Sequence, residues 1–435
     1  MRWKTADIAG WGRAIRARTE LARPERRRDL AALALDGPAI GMRRSYGDAP
    51  LNGGGRAVDM TRLDRMLSFD AEAGLLEVEA GARIGEIAAA MAPRGWLPAV
   101  MPGTGFATVG GCIGMDVHGK NHHGAGSFGQ HVAAFELATP DGPQRITPED
   151  APDLFRATMG GLGQTGIVAT ATLRLKPAPS DVIMVTERRV EDFDEHLATL
   201  DAAEATYVVG WIDATARGRA LGRGIVEEGE TGRGLVPARG NARRVPVDAP
   251  GFALSAPVVR VFNEMYFRRV PASGRTLVKP IGDFFFPLDR IHDWNRLYGK
   301  RGFHQFQCVL PPDRVGELRA IVEAVATSGL ASPLAVLKRM GPGRAGHLSF
   351  PAEGWTLAVD FPNRRAAAPL IRRLIGKTVE AGGRVYFAKD SLAEPGQIAA
   401  MYPELDDWRR IVAAADPDRR LVTDLVRRLD LRVAA

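Results

Sequence analysis

The sequence predicts an α+β protein of two domains, and three observations carry that reading. The chain has 435 residues, and at about 150 residues per domain that asks for more than one. Residues 37–180 alternate short β-like runs with glycine-rich turns. Residues 181–383 repeat a strand–helix pattern, which implies a sheet covered by helices on one face. Hydrophobic residues make up 45% and charged residues 25%, as in ordinary soluble proteins with filled cores. Glycine occupies 49 positions, more than the usual roughly 7%, so close backbone approaches are expected.

Taken in order, Pro38 to Met42, Ala57 to Met60 and Leu75 to Ala80 read as strands. Ile84, Ile87, Ala88 and Met91 recur at helical spacing, predicting a helix from Arg83 to Arg94. Phe135 to Ala138 runs into Pro140-Asp141-Gly142 as a strand entering a turn. Ala151 to Thr158 reads as a short helix and Gly166 to Leu175 as a β-branched strand. Glu227 to Pro257 is rich in Gly, Arg and Pro without a clean period, so it reads as a long mobile loop. Phe303 to Leu310 and Thr356 to Phe361 then read as strands, Pro312 to Ser328 and Ala366 to Gly382 as helices. The tail from Gly383 holds one strand-like piece, Arg384 to Ala388, followed by helical segments.

Several functional classes are set aside on composition. Cys112 and Cys308 are far apart and form no CxxC pair, so neither a disulfide framework nor a zinc finger is supported. No run of 18 apolar residues occurs, and the first residues lack a signal-peptide pattern, so a cytoplasmic protein is expected. The net charge of +7 is arginine-rich and suits solvated surface, a phosphate-bearing substrate or a lipid surface. Basic clusters are not interleaved with aromatics, so no nucleic acid is expected.

The stretch Val109 to Gly129 packs three histidines and a lysine among seven glycines. Gly114 to Asn121 falls one hydroxyl short of a phosphate-binding loop, because Asn121 stands where Ser or Thr would hold Mg²⁺. Gly161-Leu162-Gly163-Gln164-Thr165-Gly166 spells GxGxxG, but it follows a helix and precedes a strand, the reverse of the dinucleotide motif. It reads as a tight helix-to-strand turn. His118, His122 and His123 have only Asp116 as a nearby carboxylate, so no metal is expected. What remains is backbone stripped of side chains. Gly103 to Gly105, Thr108 to Gly111 and His118-Gly119 form one set of amides, and Gly41 to Asp48 a second. Two such loops suit the pyrophosphate and flat ring of a large dinucleotide held without a Rossmann sheet.

At this point the residues resemble the FAD-binding domain of the vanillyl-alcohol-oxidase/p-cresol-methylhydroxylase (PCMH-type) flavoproteins. Within them the chain is similar to the decaprenylphosphoryl-β-D-ribose 2′-oxidase family, flavin subunits of an epimerase that makes an arabinose donor. The motifs are Gly10-Trp11-Gly12-Arg13, Arg44-Ser45-Tyr46-Gly47-Asp48, Pro102-Gly103-Thr104, Thr108-Val109-Gly110-Gly111, and above all His118-Gly119-Lys120-Asn121-His122-His123 with Ala125 to Gly129. Trp294-Asn295-Arg296, Val359-Asp360-Phe361-Pro362 and Ala388-Lys389-Asp390-Ser391 extend it over nearly the whole chain.

The resemblance implies an FAD-binding domain of residues 1–180 and 384–435. Residues 181–383 would be a substrate-binding cap whose antiparallel sheet, flanked by helices, roofs the flavin, with the mobile loop 227–257 within it. Ala39-Ile40-Gly41-Met42-Arg43-Arg44-Ser45-Tyr46-Gly47-Asp48-Ala49 would wrap the pyrophosphate. Gly103, Thr108, Val109, Gly110, Gly111, Met115, Asp116, Val117, His118, Val168 and Tyr386 complete the cofactor contacts. Gly110 is expected to leave room for the cofactor and for any positive φ there. Many relatives attach FAD to a histidine in the Arg44–Gly47 loop; Tyr46 stands there, so non-covalent FAD is implied. Lys389 and His118 are the implied catalytic residues, with Gln307, Lys338, Lys120, Phe285 and Ala358 around the substrate. Phe285 replaces a tyrosine of the family's flavin-facing sheet, and Ala358 a frequent cysteine. Tyr386 and Lys389 cannot share a face of one regular strand, so a bend or strand end is expected between them.

The implied reaction moves hydride from the C2′ alcohol of a polyprenylphosphoryl-β-D-ribose to flavin, giving a 2′-keto sugar. A separate NADH-dependent short-chain reductase would complete the epimerisation for cell wall arabinan. Loop 227–257, with Phe252 and Leu254, reads as able to touch the anionic inner membrane face. A soluble alditol or sugar oxidase using O₂ is the alternative, and a non-catalytic flavin- or phosphate-binding module the remote one.

Overall fold

The structure is a computed structural model that describes residues 2–233 and 242–432. Three sheets organise it. The first has the order β1-β2-β4-β3, from β1 (Lys4–Ala9), β2 (Arg16–Ala22), β3 (Ala39–Ile40) and β4 (Arg56–Asp59). The second contains β5 (Met66–Asp70), β6 (Leu75–Glu79), β7 (Trp96–Pro98), β8 (Val132–Thr139), β9 (Gly142–Ile146) and β10 (Ile167–Pro177). Its order is β5-β6-β10-β8-β9, with β7 paired to the end of β10.

Helix α1 (Ile84–Met91) buries Ile84, Ile87, Ala88 and Met91, the four residues whose spacing predicts it. It is followed by short helices α2 (Val109–Gly114), α3 (His122–Ala125) and α4 (Pro152–Thr158). The GxGxxG string is the expected helix-to-strand turn between α4 and β10, with Gly163 at φ 72° and even Leu162 at φ 61°. His122 and His123 do enter a helix, but only the single turn of α3.

The third sheet has eight strands, all antiparallel to their neighbours, in the order β15-β11-β13-β12-β18-β19-β17-β20. They are β11 (Val182–Val190), β12 (Tyr207–Ile212), β13 (Gly224–Gly232), β15 (Arg275–Pro280), β17 (Phe303–Leu310), β18 (Ala335–Met340), β19 (Gly354–Pro362) and β20 (Arg384–Val385). The missing numbers, β14 (Arg243–Arg244) and β16 (Ile291–His292), form a separate parallel pair. Helices α5 (Phe193–Asp201), α8 (Val315–Ser328) and α9 (Ala367–Glu380) cover one face, and α6 (Ala256–Arg268) and α7 (Ile281–Phe285) lie between the strands in sequence.

Alternation along the strands explains the one-sided cover. Phe306, Cys308, Leu337, Leu357, Val359 and Phe361 are buried with the helices' Leu318, Ile321, Leu370 and Leu374. The residues between them point the other way and line a cavity. The tail helices α10 (Pro395–Met401), α11 (Leu405–Ala415) and α12 (Asp424–Arg428) return to the first part of the chain. Trp408 Nε1 donates to Ala157 O, and Gln164 Nε2 to Leu421 O.

Two expectations change. Glu227–Gly232 belongs to β13, and Gly251 to Pro257 forms a 3₁₀ turn leading into α6, so 227–257 is not one long loop; residues 234–241 lie outside the described residues. The pairing of β13 with β11 and β12 satisfies its backbone, which the lack of a clean sequence period concealed. Phe285 ends the short helix α7 instead of lying in a sheet.

Candidate active site

Backbone hydrogen bonds gather motifs that are hundreds of residues apart. Trp11 N donates to Ser45 O at 2.8 Å, Gly12 N to Tyr46 O at 3.1 Å, and Tyr46 N to Ala388 O at 2.8 Å. Asn295 Nδ2 donates to Trp11 O at 3.1 Å. A Cβ on Gly10 would lie 2.1 Å from Gly47 O, so no side chain fits where these turns cross. As expected, the strand ends at Val385, and Lys389 N and Asp390 N both donate to Tyr386 O, turning Lys389 toward the same space.

That space is a cavity of about 1140 Å³. One wall is the bare face of the eight-stranded sheet: Gln305, Gln307, Val336, Lys338, Thr356, Ala358 and Asp360. Facing it are residues 39–46, Ala49, Gly103, Thr108, Gly110, Gly111, Met115, Val117 to Lys120, Val168 and Tyr386. All seven expected catalytic and substrate residues line it, Phe285 among them.

Four expected cofactor residues do not. Val109 is buried in the hydrophobic core. Asp116 is fully buried and accepts from Gly129 N, Ala345 N and Ser349 Oγ, so it ties loops together behind the cavity. Asp48 is held by the Arg428 guanidinium at 2.7 and 2.8 Å. Gly47 is packed against Asp390 O. Gly110 does line the cavity, but it is helical without a positive φ, and its Cβ would press on Ala80 at 3.2 Å.

The residues fit FAD. Among the described residues, the N–H groups of residues 42–45 donate to nothing in the chain. Arg43 at φ 49° turns that segment as an anion-binding loop requires. Arg44 Nε is buried without an acceptor, while its guanidinium carbon lies 4.0 Å from the Trp11 ring and 4.6 Å from Phe106. Thr108 caps α2 by accepting from Gly111 N at 3.3 Å, leaving a glycine-lined wall flat enough for a ring system.

Electrostatically the floor is dominated by buried lysines. Lys338 is pushed down to about 7 by burial, with Lys120 and Lys389 adding repulsion. Its Nζ lies 2.9 Å from His118 Nδ1 and donates to Gly119 O at 3.1 Å. On the other side of the ring the Gln307 Nε2 amide stands 3.0 Å from His118 Nε2, so both ring nitrogens have a partner. Burial, then Lys338, holds His118 well below the ordinary imidazole value. Lys120 is lowered to about 8 by burial; it donates to Phe284 O at 2.8 Å and lies 3.6 Å from Glu227.

The Nζ of Lys389 makes no hydrogen bond or ion pair to another described residue and sits 3.7 Å over the Tyr46 ring. Burial lowers its pKa, while Asp360 opposes the shift. Asp360 is itself raised by burial and accepts from Gln305 and from Tyr298 Oη at 3.2 Å. Asp360, Gln305 and Tyr298 had no role in the sequence reading. The signal available was Gln305-Phe306-Gln307, polar residues at the two-residue period of a strand face.

Toward solvent the lining turns apolar, with Leu254, Val258, Phe262, Ile291 and Leu297 around the mouth. The cavity thus joins a cationic, hydrogen-bonding floor to a greasy entrance.

The profile of a family described as FAD binding domain matches residues 38–148. Decaprenylphosphoryl-β-D-ribose oxidase of Mycolicibacterium smegmatis is 38% identical over 411 residues, covering 90% of this chain and 89% of that protein. An uncharacterized protein of Streptomyces coelicolor is 37% identical over 361 residues, 78% of this chain and 97% of its own length. An uncharacterized oxidoreductase of Rhodococcoides fascians is 32% identical over 139 residues, about a third of each chain.

Proposed function

The chain belongs to the decaprenylphosphoryl-β-D-ribose oxidase family of FAD-dependent oxidoreductases, and from that premise we propose that it oxidises the C2′ hydroxyl of a polyprenylphosphoryl-β-D-ribose to the 2′-keto sugar. The observation that carries this reading is the amphipathic cavity: three buried lysines at its floor and an apolar mouth suit a sugar joined through an anionic phosphodiester to a lipid. Bound FAD supplies the acceptor for the hydride.

The chain's own residues then have distinct tasks. Lys389 Nζ, depressed by burial and free of partners among the described residues, accepts the hydroxyl proton and remains as an ammonium beside the charge that develops. His118, neutral and held between Lys338 and the Gln307 amide, orients the sugar with Gln307. Arg44, clamped between two aromatic rings with its Nε unpartnered, offers a fixed cation to an anionic group bound in the cavity. Phe285 and Ala358 give that wall an apolar surface against the sugar.

No histidine or cysteine occurs among residues 39–49, so FAD is held non-covalently: acid precipitation should release all flavin, and fluorescence left on the denatured chain would refute this. A separate NADH-dependent reductase returns the keto sugar to the alcohol, and the enzyme meets its lipid-linked substrate by peripheral contact at the inner membrane face. No helix among the described residues is long and apolar enough to cross a membrane. The test is anaerobic stopped-flow reduction of the flavin. Lipid-linked ribose should bleach it rapidly and free alditols should not; the reverse result identifies a soluble polyol oxidase.

A further inference from the structure

Helix α6 is amphipathic in the wrong sense for a helix that packs only on its own protein. Its outward face carries Val258, Val261, Phe262 and Met265, which are 45%, 61%, 44% and 63% exposed. Their spacing of i, i+3, i+4 and i+7 makes one stripe. The inward face is partly polar: Asn263 is buried and donates to Asp213 Oδ1 at 2.7 Å. The preceding turn adds Phe252, 72% exposed. Water-facing side chains of this size in one stripe mark a surface that something covers.

Charge and position indicate what covers it. Arg260 on α6 and Arg243 on β14 are exposed with no ion pair to another described residue, while Arg268 pairs with Glu264 and Arg244 with Asp293, so the uncompensated charge on these two elements is cationic. Val258 and Phe262 also line the mouth of the cavity, so the stripe continues into the space where the substrate is bound. An exposed apolar stripe on an amphipathic helix, with uncompensated arginine on that helix and on β14, suits a helix lying in the headgroup region of an anionic bilayer. We propose that α6 docks on an anionic membrane surface with Val258, Val261, Phe262 and Met265 among the lipids, opening the cavity directly to the bilayer so that the substrate's apolar tail never crosses water. The membrane element is thus α6 itself, and the inference rests on the lipid-linked substrate proposed above.

The decisive variant replaces two stripe residues that do not line the cavity, Val261→Asp with Met265→Asp. Both side chains are already in solvent, so the FAD-loaded variant should keep its flavin content and melting temperature. Cosedimentation uses vesicles of phosphatidylcholine with equimolar phosphatidylglycerol, without substrate. The unmodified protein should bind, and the variant should bind roughly a hundredfold more weakly, the effect of losing two apolar contacts of ordinary size. The variant should oxidise a short-chain, water-soluble prenylphosphoryl ribose at the unmodified rate and a vesicle-embedded one more slowly. Equal vesicle binding by both proteins overturns the proposal. So does a dimer of the unmodified protein in solution that the variant dissociates, since a second copy would then cover the stripe. Because vesicle binding is read without substrate, it stays decisive even if lipid-linked ribose fails to reduce the flavin.

Discussion

His118 and Lys389 face the same cavity, yet their surroundings give them different chemistry. His118 is buried with Lys338 Nζ 2.9 Å from its Nδ1, so a positive imidazole there would lose its hydration and face an ammonium. Lys389 has only the face of Tyr46 against its ammonium, among the described residues. If its Nζ takes the hydroxyl proton, Lys389→Ala should retain FAD but slow flavin reduction by about 10²–10³. Lys389→Arg should restore little, because a planar guanidinium stays protonated and crowds the sugar. The pH profile checks the role. The neutral amine is the active form, so the reduction rate should rise with pH through a value below that of an ordinary lysine. That limb should vanish in Lys389→Ala; a near-native rate in this variant would return the proton to another group.

Among the elements, the short glycine-rich segments are where space decides. Gly41 follows β3, and a Cβ there would stand 2.2 Å from Thr108 Oγ1, the oxygen that caps α2. Gly41→Ala should therefore displace the cap, at about 1 kcal/mol, and loosen both loops at once, lowering FAD occupancy after gel filtration. Gly110→Ala meets Ala80 at 3.2 Å and needs only a small shift of β6's end, so it should keep its flavin. Equal flavin content in both variants would show that these loops are not coupled through Thr108. Gly110 lines the cavity while its missing Cβ makes room for Ala80, and in one dimension glycines that bare a surface look like glycines that let a helix approach a strand.

Two features act on the molecule as a whole. Arg428, in the tail, donates to Asp48 and Asp390, which stand two residues after Tyr46 and one after Lys389. Both carboxylates are buried, so Arg428→Ala leaves two uncompensated charges and should cost about 3 kcal/mol or more. Thermal melting should register it, and flavin reduction should slow as the two walls part. The second feature is a set of buried imidazoles. Burial lowers both His122 and His196 to about 4, and His196 keeps a hydrogen bond of 2.8 Å to Gly222 O. An unfolded chain protonates such groups near 6.5. Between about 6.5 and 4 the unfolded state therefore binds more protons, and stability falls as pH drops through that window. The expected slope is on the order of 1 kcal/mol per pH unit for each histidine. His196→Asn, which preserves a donor to Gly222 O, should flatten the fall in melting temperature between pH 7 and 5; an unchanged slope would assign it to other groups.

The sequence by itself determined what depends on neighbours along the chain. Residues two or four apart fixed the faces of β17, β19 and α1, and two glycine loops signalled a dinucleotide without a Rossmann sheet. Even the bend between Tyr386 and Lys389 was expected once the resemblance put both residues at one site, because the two-residue period of a strand would separate them. The tertiary structure decided everything that depends on what a side chain meets across the fold. Only packing places Lys338 against His118, separated by 220 positions, and so keeps that imidazole neutral. Only packing turns Asp116 and Asp48 away from the cavity, or brings Asp360 to its floor. Strand β13 escaped the sequence because its order comes from backbone bonds to β11 and β12, which carry no side-chain signature. For the same reason the outward stripe of α6 could not be read in advance: a period of 3.6 identifies an apolar face, but only the surrounding structure says whether that face is covered.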